Sequence, residues 1–233
     1  MDKILRIDVG AAGGPKAVVT DLGEYEGMGG RGMTSMVVLK EVPADCHPLG
    51  PENKIVIAPG MLTGSAASTS GRISVGCKSP LTGGIKESNA GGQAGQTLAR
   101  LGYAAIILEG AAPADACHKI LINKDGVQIS KADDYKGLLN YDLIEKIKAV
   151  YGEKVAVMSI GPAGEMKMSS ATIAVTDREM RPSRHAGRGG VGAVMGSKGI
   201  KAIIIDDAGM KMRQPKNPEK FKAANKTFTQ GLR

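Results

Sequence analysis

Asn89-Ala90-Gly91-Gly92 and His185-Ala186-Gly187-Arg188-Gly189-Gly190 are the two stretches of this chain with the composition to meet an anion, and each runs into a helix-forming segment. A helix that starts on a glycine-rich turn presents unpaired backbone N–H groups at the positive end of its dipole, where phosphate is the commonest guest. Glycine serves because successive N–H groups converge only when some residues take positive φ and no side chain blocks approach. Arg72 precedes the first turn, and Arg184 and Arg188 flank the second. A guanidinium matches phosphate bidentately. One such turn is as readily a packing device; two equivalent turns, each with arginine, point to two phosphates or two copies of one ligand.

Gly187, Gly189 and Gly192 also fit G-x-G-x-x-G, with Asp206 and Asp207 about twenty residues on, as in a dinucleotide-binding unit. That unit needs its first glycine directly off a strand. Here the preceding strand is predicted to end at Val175, with "TDREMRPSRHA" intervening, so the turn is not tight and the two aspartates read as strand-end residues. "GAVMGSK" is not a P-loop either, because the lysine follows the serine. Cys46, Cys77 and Cys117 are scattered, without C-x-x-C, which argues against a disulfide scaffold and against a self-contained zinc or iron–sulfur site. Cys77 reads as buried packing, and His47 and His118 as loop or strand-end residues.

The elements that must position these turns are mixed. "ILRIDV" and "KAVVTDL" read as a hairpin around "GAAGGP", and "CHKILINKDGVQISKA" as another around Asp125-Gly126. A helix is predicted after "YEGMGG", with Met33, Met36, Val37 and Lys40 on one face. "GLLNYDLIEKIKAVYG" gives a second, striped by Leu139, Leu143, Ile144, Ile147 and Val150. "KIVIAPG", "RISVGCKS" and "AAIILEG" are strands, and Gly102 ends the helix "QAGQTLAR". The order is α+β. An internal repeat organises it: "KIVIAPGMLTGS", "GRISVGCKSP" and "NAGGQAGQTLARLGYAAIILEG" can be laid beside "KVAVMSIGPAGE", "SATIAVTD" and "HAGRGGVGAVMGSKGIKAIIIDD". Asn89-Ala90-Gly91 then falls on His185-Ala186-Gly187, which predicts a pseudo-twofold domain with two mixed sheets and a few helices.

Composition narrows the partners. With 33 glycines, 12 methionines, seven aromatics and no tryptophan, the core is aliphatic and platforms for base stacking are scarce. The net charge of +8 is concentrated in residues 208–233, which hold seven Lys or Arg against one acid. This tail reads as a solvated linker or helix rather than a nucleic-acid arm. The absence of a long apolar run or a signal-peptide core predicts a cytoplasmic chain with no membrane and no nucleic-acid partner.

"PENKIVIAPGMLTGSAASTSGRISVGCKSPLTGGIKESNAGG", "SIGPAGE" and "HAGRGGVGAVMGSKGIKAI" resemble the N-terminal domain of the aldehyde ferredoxin oxidoreductases, tungsten (sometimes molybdenum) bis-pterin enzymes. The resemblance covers residues 1–207 and leaves 208–233 as a basic linker or the start of further domains. It implies two six-stranded sheets related by pseudo-symmetry, forming a base on which tungstopterin lies. Arg72 would contact a pterin, Asn89 and Gly91 the first pterin phosphate, and Arg184, Gly187 and Arg188 the second. A magnesium ion bridging the phosphates would be held partly by the backbone carbonyls of Asn89 and His185. His185 departs from the small residue often found there.

Full-length members continue through two domains that supply the cysteines of a [4Fe–4S] cluster and the acid/base residues of the substrate channel. The resemblance therefore implies a fragment, or a small subunit of a split enzyme, silent in catalysis by itself. Its partners would be those domains or a subunit carrying the cluster, and ferredoxin in the complete enzyme. An apolar, glycine-rich cofactor face left exposed would favour a homodimer. Two alternatives stay open: a non-enzymatic carrier or scaffold for the pterin cofactor, and an NAD(P)-binding domain.

Overall fold

In the computed structural model, which describes residues 2–232, the strands divide between two mixed six-stranded sheets. The first half runs β1 (Lys3–Asp8), β2 (Lys16–Asp21), α1 (Gly30–Glu41), β3 (Ile55–Pro59), β4 (Ile73–Lys78), β5 (Ile85–Ala90), α2 (Ala94–Arg100) and β6 (Tyr103–Glu109). The second runs β7 (His118–Asn123), β8 (Gly126–Lys131), α3 (Asn140–Tyr151), β9 (Ala156–Ser159), α4 (Pro162–Glu165), β10 (Ile173–Val175), β11 (Arg184–Ala186), α5 (Val191–Ser197) and β12 (Ile200–Ile205). A last helix, α6 (Pro218–Gln230), follows.

Strand order is β2-β1-β6-β3-β4-β5 in one sheet and β8-β7-β12-β9-β10-β11 in the other, which is one topology used twice. Each sheet has a single parallel pair, β1 with β6 and β7 with β12, and both pairs carry a bulge at the same end, between Lys3 and Ile4 and between Ile200 and Ala202. The α+β class and the duplication expected from the sequence are therefore present. The repeat also reaches further back than the sequence comparison took it. Tyr25 and Tyr135 each close a short 3-10 turn, are buried, and are followed by a glycine at positive φ (Gly27, 79°; Gly137, 76°) before α1 and α3 begin.

The apolar strands are buried because each sheet has helices or the other sheet on both faces. Leu5, Ile7, Ile55, Ile57, Ile106 and Leu108 turn inward from the first sheet to meet Ile120, Ile122, Met158, Ile203 and Ile205 of the second, with Leu98 of α2 and Val194 of α5 in the same core. On the outer faces, α1 lays Met33, Val37 and Val38 on Val56 and Ile107, and α3 lays Leu143, Ile144 and Ile147 on Val157 and Ile204. Both predicted stripes need trimming. Met36 is only partly buried and Lys40 reaches Glu24 in solvent, while Leu139 and Val150 are 62% and 68% exposed, because they stand at the ends of α3 where the helix outruns the sheet.

The halves are tied at their seam. Lys198, at the end of α5, is fully buried and donates from Nζ to the carbonyls of Gly50 (3.1 Å), Pro51 (3.4 Å) and Gly110 (2.6 Å) of the first half; burial pushes its pKa down to about 8. Ser79 Oγ donates to the Gly189 carbonyl at 2.7 Å. Past β12, the basic tail folds back: Arg213 pairs with Asp2 and donates to the carbonyls of Met61 and Thr63, and Asn217 caps α6 by accepting from Lys220 N–H at 2.9 Å. Among the described residues no helix is long and apolar enough to cross a membrane.

Candidate anion site at the seam

Two strands without apolar alternation in the sequence, β5 and β11, carry the turns. Each is the edge strand of its sheet, and the two lie against one another across the pseudo-twofold. β5 reads "IKESNA", too polar to show strand alternation, and β11 has three residues. Their registers match: Ser74 opposes Asn89 and Ile73 opposes Ala90, as Ala174 opposes His185 and Ile173 opposes Ala186. The equivalence of Asn89 and His185, inferred from the repeat, is thus structural. Each turn is pinned to the opposite half, by Gln93 N–H donating to the Thr176 carbonyl (2.9 Å) and Arg188 N–H donating to Ser88 Oγ (3.0 Å).

β11 corrects the argument against a dinucleotide unit. β10 ends at Val175 as expected, but a further strand, β11, follows it and runs directly into Gly187. The conclusion stands on topology instead. β10 and β9 separate β11 from β12, and three successive antiparallel pairings leave β11 antiparallel to β12, whereas a dinucleotide unit needs parallel neighbours.

The glycines sort into two kinds. A Cβ on Gly192 would lie 2.4 Å from the Thr172 carbonyl oxygen, and one on Gly95 would lie 3.0 Å from that of Gly71, so α5 and α2 rest on backbone in equivalent ways. Gly92, Gly189 and Gly190 take positive φ, and a Cβ on Gly190 would strike Ser169 O at 2.1 Å. Gly91 and Gly187 are different. Neither has positive φ, and the nearest atoms to an added Cβ are the Arg72 guanidinium at 3.7 Å and His185 Cβ at 3.9 Å. The surrounding fold sets no steric requirement for glycine at either position, and the backbone there is open to close approach.

Arg72 donates from Nε to Asn89 Oδ1 and from a terminal nitrogen to the Asn89 carbonyl at 3.3 Å. Its counterpart in register is Thr172, whose hydroxyl lies 3.0 Å from His185 Nδ1, while Arg184 stands where Ser88 does in the first half. Among the described residues Arg72, Arg184 and Arg188 have no carboxylate partner, unlike Arg6, Arg100, Arg181 and Arg213. Unneutralised guanidiniums beside two glycine turns suit a doubly anionic ligand. Arg184 also lines a polar cleft of about 380 Å³ between the halves, with Gly71, Gly92, Gln93 and Arg178. Of the turn residues and their neighbour Arg184, Asn89, Arg184, His185 and Arg188 are exposed, a polar set rather than an apolar one, while Ala90, Ala186, Gly189 and Gly190 are buried; exposed apolar residues elsewhere include Met61 and Leu62 after β3 and Met166 and Met168 after β9.

The loop that presents Arg184 is organised by Asp177. Burial alone would raise this carboxyl's pKa, but donation from the Arg181 side chain and backbone, the Ser183 hydroxyl and the Glu179 backbone outweighs it and holds the group at about 2. A folded pKa below the unfolded one stabilises the loop above the ordinary aspartate range, and that contribution is lost as pH falls through about 2. Asp177→Asn should therefore be less stable than the unchanged protein at pH 6, and the gap should narrow between pH 4 and 2, as read by denaturant unfolding. A gap that stays constant with pH would show that the carboxylate charge is not what orders the loop.

Other sequence candidates fall away from the seam. Cys46, Cys77 and Cys117 are buried and free, and burial pushes the Cys77 thiol to about 12, fitting a packing role. His47 sits in a loop where its Nδ1 accepts from Leu49 N–H at 3.2 Å, and His118 opens β7. Among the described residues no three His, Cys, Asp or Glu side chains converge as a metal site. Thr172 and Asp177 are further residues of the site; both Arg72 and Thr172 lie in the repeated segments, and matching Ile73 to Ile173 sets Thr172 at the position of Arg72.

The fold and the seam define the class: an α+β domain of two duplicated six-stranded sheets, with paired glycine turns and arginines lacking carboxylate partners where the halves meet. The chain belongs to the family described as "Aldehyde ferredoxin oxidoreductase, N-terminal domain", whose model matches residues 4–207. It is 41% identical over 204 residues to the tungsten-containing aldehyde ferredoxin oxidoreductase of Pyrococcus horikoshii, covering 87% of this chain and 32% of that protein. It is 44% identical over 180 residues to that of Pyrococcus furiosus, covering 77% and 29%. Among solved structures, the active-site complex BamBC of benzoyl coenzyme A reductase with 1,5-dienoyl-CoA matches with TM-score 0.84 and 32% identity, over 96% of this chain and 33% of that one. The chain thus spans about a third of the length of these relatives.

Proposed function

We propose that this chain is the base for a tungsten or molybdenum bis-pterin cofactor in an oxidoreductase that converts aldehydes to carboxylic acids. The observation that carries this reading is the pair Gly91 and Gly187, equivalent by the pseudo-twofold, glycine for no reason internal to the fold, and open to a ligand. Arg72, Arg184 and Arg188 would neutralise the two pterin phosphates. The backbone carbonyls of Asn89 and His185, on adjoining edge strands, would be the groups that hold a magnesium ion. When bound, the cofactor supplies the two-electron oxidation; the protein's part is binding, orientation and charge neutralisation.

The [4Fe–4S] cluster and the acid/base groups belong on further domains or a partner subunit, into which residues 208–233 lead, with ferredoxin as electron acceptor, in the cytoplasm. Exposed Met61, Leu62, Met166 and Met168 are apolar surface that such a partner, or a second copy of the chain, would cover. A pterin-cofactor carrier would use the same face.

The test is co-expression with the cluster-bearing partner under tungstate, followed by metal, pterin and phosphate analysis of the purified complex. The expected result is two pterins per tungsten. One nucleotide per chain, with neither tungsten nor pterin, would overturn it.

A further inference from the structure

Behind Asn89 runs a chain of hydrogen bonds that the cofactor reading does not require. Asn89 Nδ2 donates to Ser74 Oγ at 3.2 Å, the Ser74 hydroxyl donates to Glu87 Oε1 at 2.6 Å, and Arg31 Nε donates to Glu87 Oε2 at 3.2 Å. Ser74 is 2% exposed and the Glu87 side chain 8%, beneath the start of α1, where Gly30 packs close to Ser74 Oγ. We propose that Glu87, acting through Ser74, is a positioning residue that fixes which way the Asn89 amide faces and thereby aims Arg72 at its anion. The inference rests on reading the Arg72–Asn89 turn as a phosphate site.

The direction of the relay follows from donor and acceptor counts. A carboxylate only accepts, so the single hydroxyl proton of Ser74 goes to Glu87. Ser74 Oγ can then only accept, which demands the NH2 side of the Asn89 amide. The amide oxygen is left facing outward, where it takes the Nε proton of Arg72. With the amide reversed, its NH2 would confront the guanidinium, donor against donor, and Arg72 would swing away. The second half supplies the contrast. At the register position of Ser74 it has Ala174, and at that of Glu87 it has Ser183; His185, which has no amide to orient, needs neither.

Two readouts test this on the chain as it stands. The first is the Arg72 Nε–H resonance in a nitrogen-correlated NMR spectrum; the second is affinity for inorganic pyrophosphate by calorimetry. Ser74→Ala and Glu87→Ala should each move the resonance and weaken pyrophosphate binding about three- to tenfold, the range of one well-made hydrogen bond. Glu87→Gln has one acceptor for the two protons that Ser74 and Arg31 offer, so both readouts should fall between those of the unchanged protein and of Glu87→Ala. In an Asn89→Ala background Ser74→Ala should have no further effect on binding, because there is no amide left to orient. An unmoved Arg72 resonance in Ser74→Ala, or a binding loss that simply adds to that of Asn89→Ala, would overturn the relay. If the unchanged protein binds no pyrophosphate, it is the phosphate-site reading that fails, and the resonance still decides the relay.

Discussion

Gly196→Ala should destabilise the chain by about 3 kcal/mol and lower its thermal midpoint by roughly 6–12 °C, without any direct contact with the proposed ligand. A Cβ on Gly196 of α5 would lie 1.9 Å from the Gly164 carbonyl oxygen and 2.8 Å from its carbon, both backbone atoms of α4 that no rotamer change can move aside. Gly164 is equally constrained, since its own Cβ would meet Ile160 Cβ at 2.7 Å. The two helices therefore cross glycine on glycine at backbone contact. Relief requires displacing α4, and α4 is anchored: Glu165 accepts from Gly137 N–H and pairs with Lys201, which is itself buried and donates to the Leu138 carbonyl at 2.9 Å. Any shift would pass into the start of α3. Differential scanning calorimetry checks this, and a midpoint within 2 °C of the unchanged protein would mean that the helices do not pack as closely as described.

The same contact shows what the sequence could and could not disclose. Buried strands such as "KIVIAP" and "GIKAIII" are legible because both faces are covered, so the chain writes them as apolar runs. The duplication is legible because both copies must fill the same inner core, and β-branched residues recur at matching positions, Ile73 with Ile173 and Val75 with Val175. β5 and β11 are not legible. They are edge strands that meet one another across the seam and are partly exposed, so nothing forces apolar alternation on them.

Glycine is the least legible of all. The sequence pattern treats Gly187, Gly189 and Gly192 alike, yet one is open to solvent, one is at φ 75°, and one is pressed on a carbonyl. Only the atoms around each position separate a glycine required by the fold from one required by a guest. The relay behind Asn89 was hidden for a related reason, since Ser74 and Glu87 meet only when β4 and β5 pair in register.

Gly91→Leu and Gly187→Leu supply the complementary result: little change in stability and a loss of the cofactor. At both positions φ lies outside the left-handed region and no protein atom comes within 3.7 Å of an added Cβ, so the thermal midpoint should stay within about 2 °C for each variant. A leucine side chain standing on the turn would occupy the volume through which a phosphate reaches the backbone N–H groups, and would set apolar carbon against Arg72 or His185. Retention of tungsten and pterin by the partnered complex should fall at least about a hundredfold, equivalent to ~2.7 kcal/mol. Pyrophosphate affinity of the chain alone should fall in parallel. The pseudo-twofold sharpens the expectation: if each turn serves one of two phosphates on a single cofactor, as proposed, either leucine alone should release the whole group. A variant that kept half the pterin would show instead that the two turns hold independent ligands.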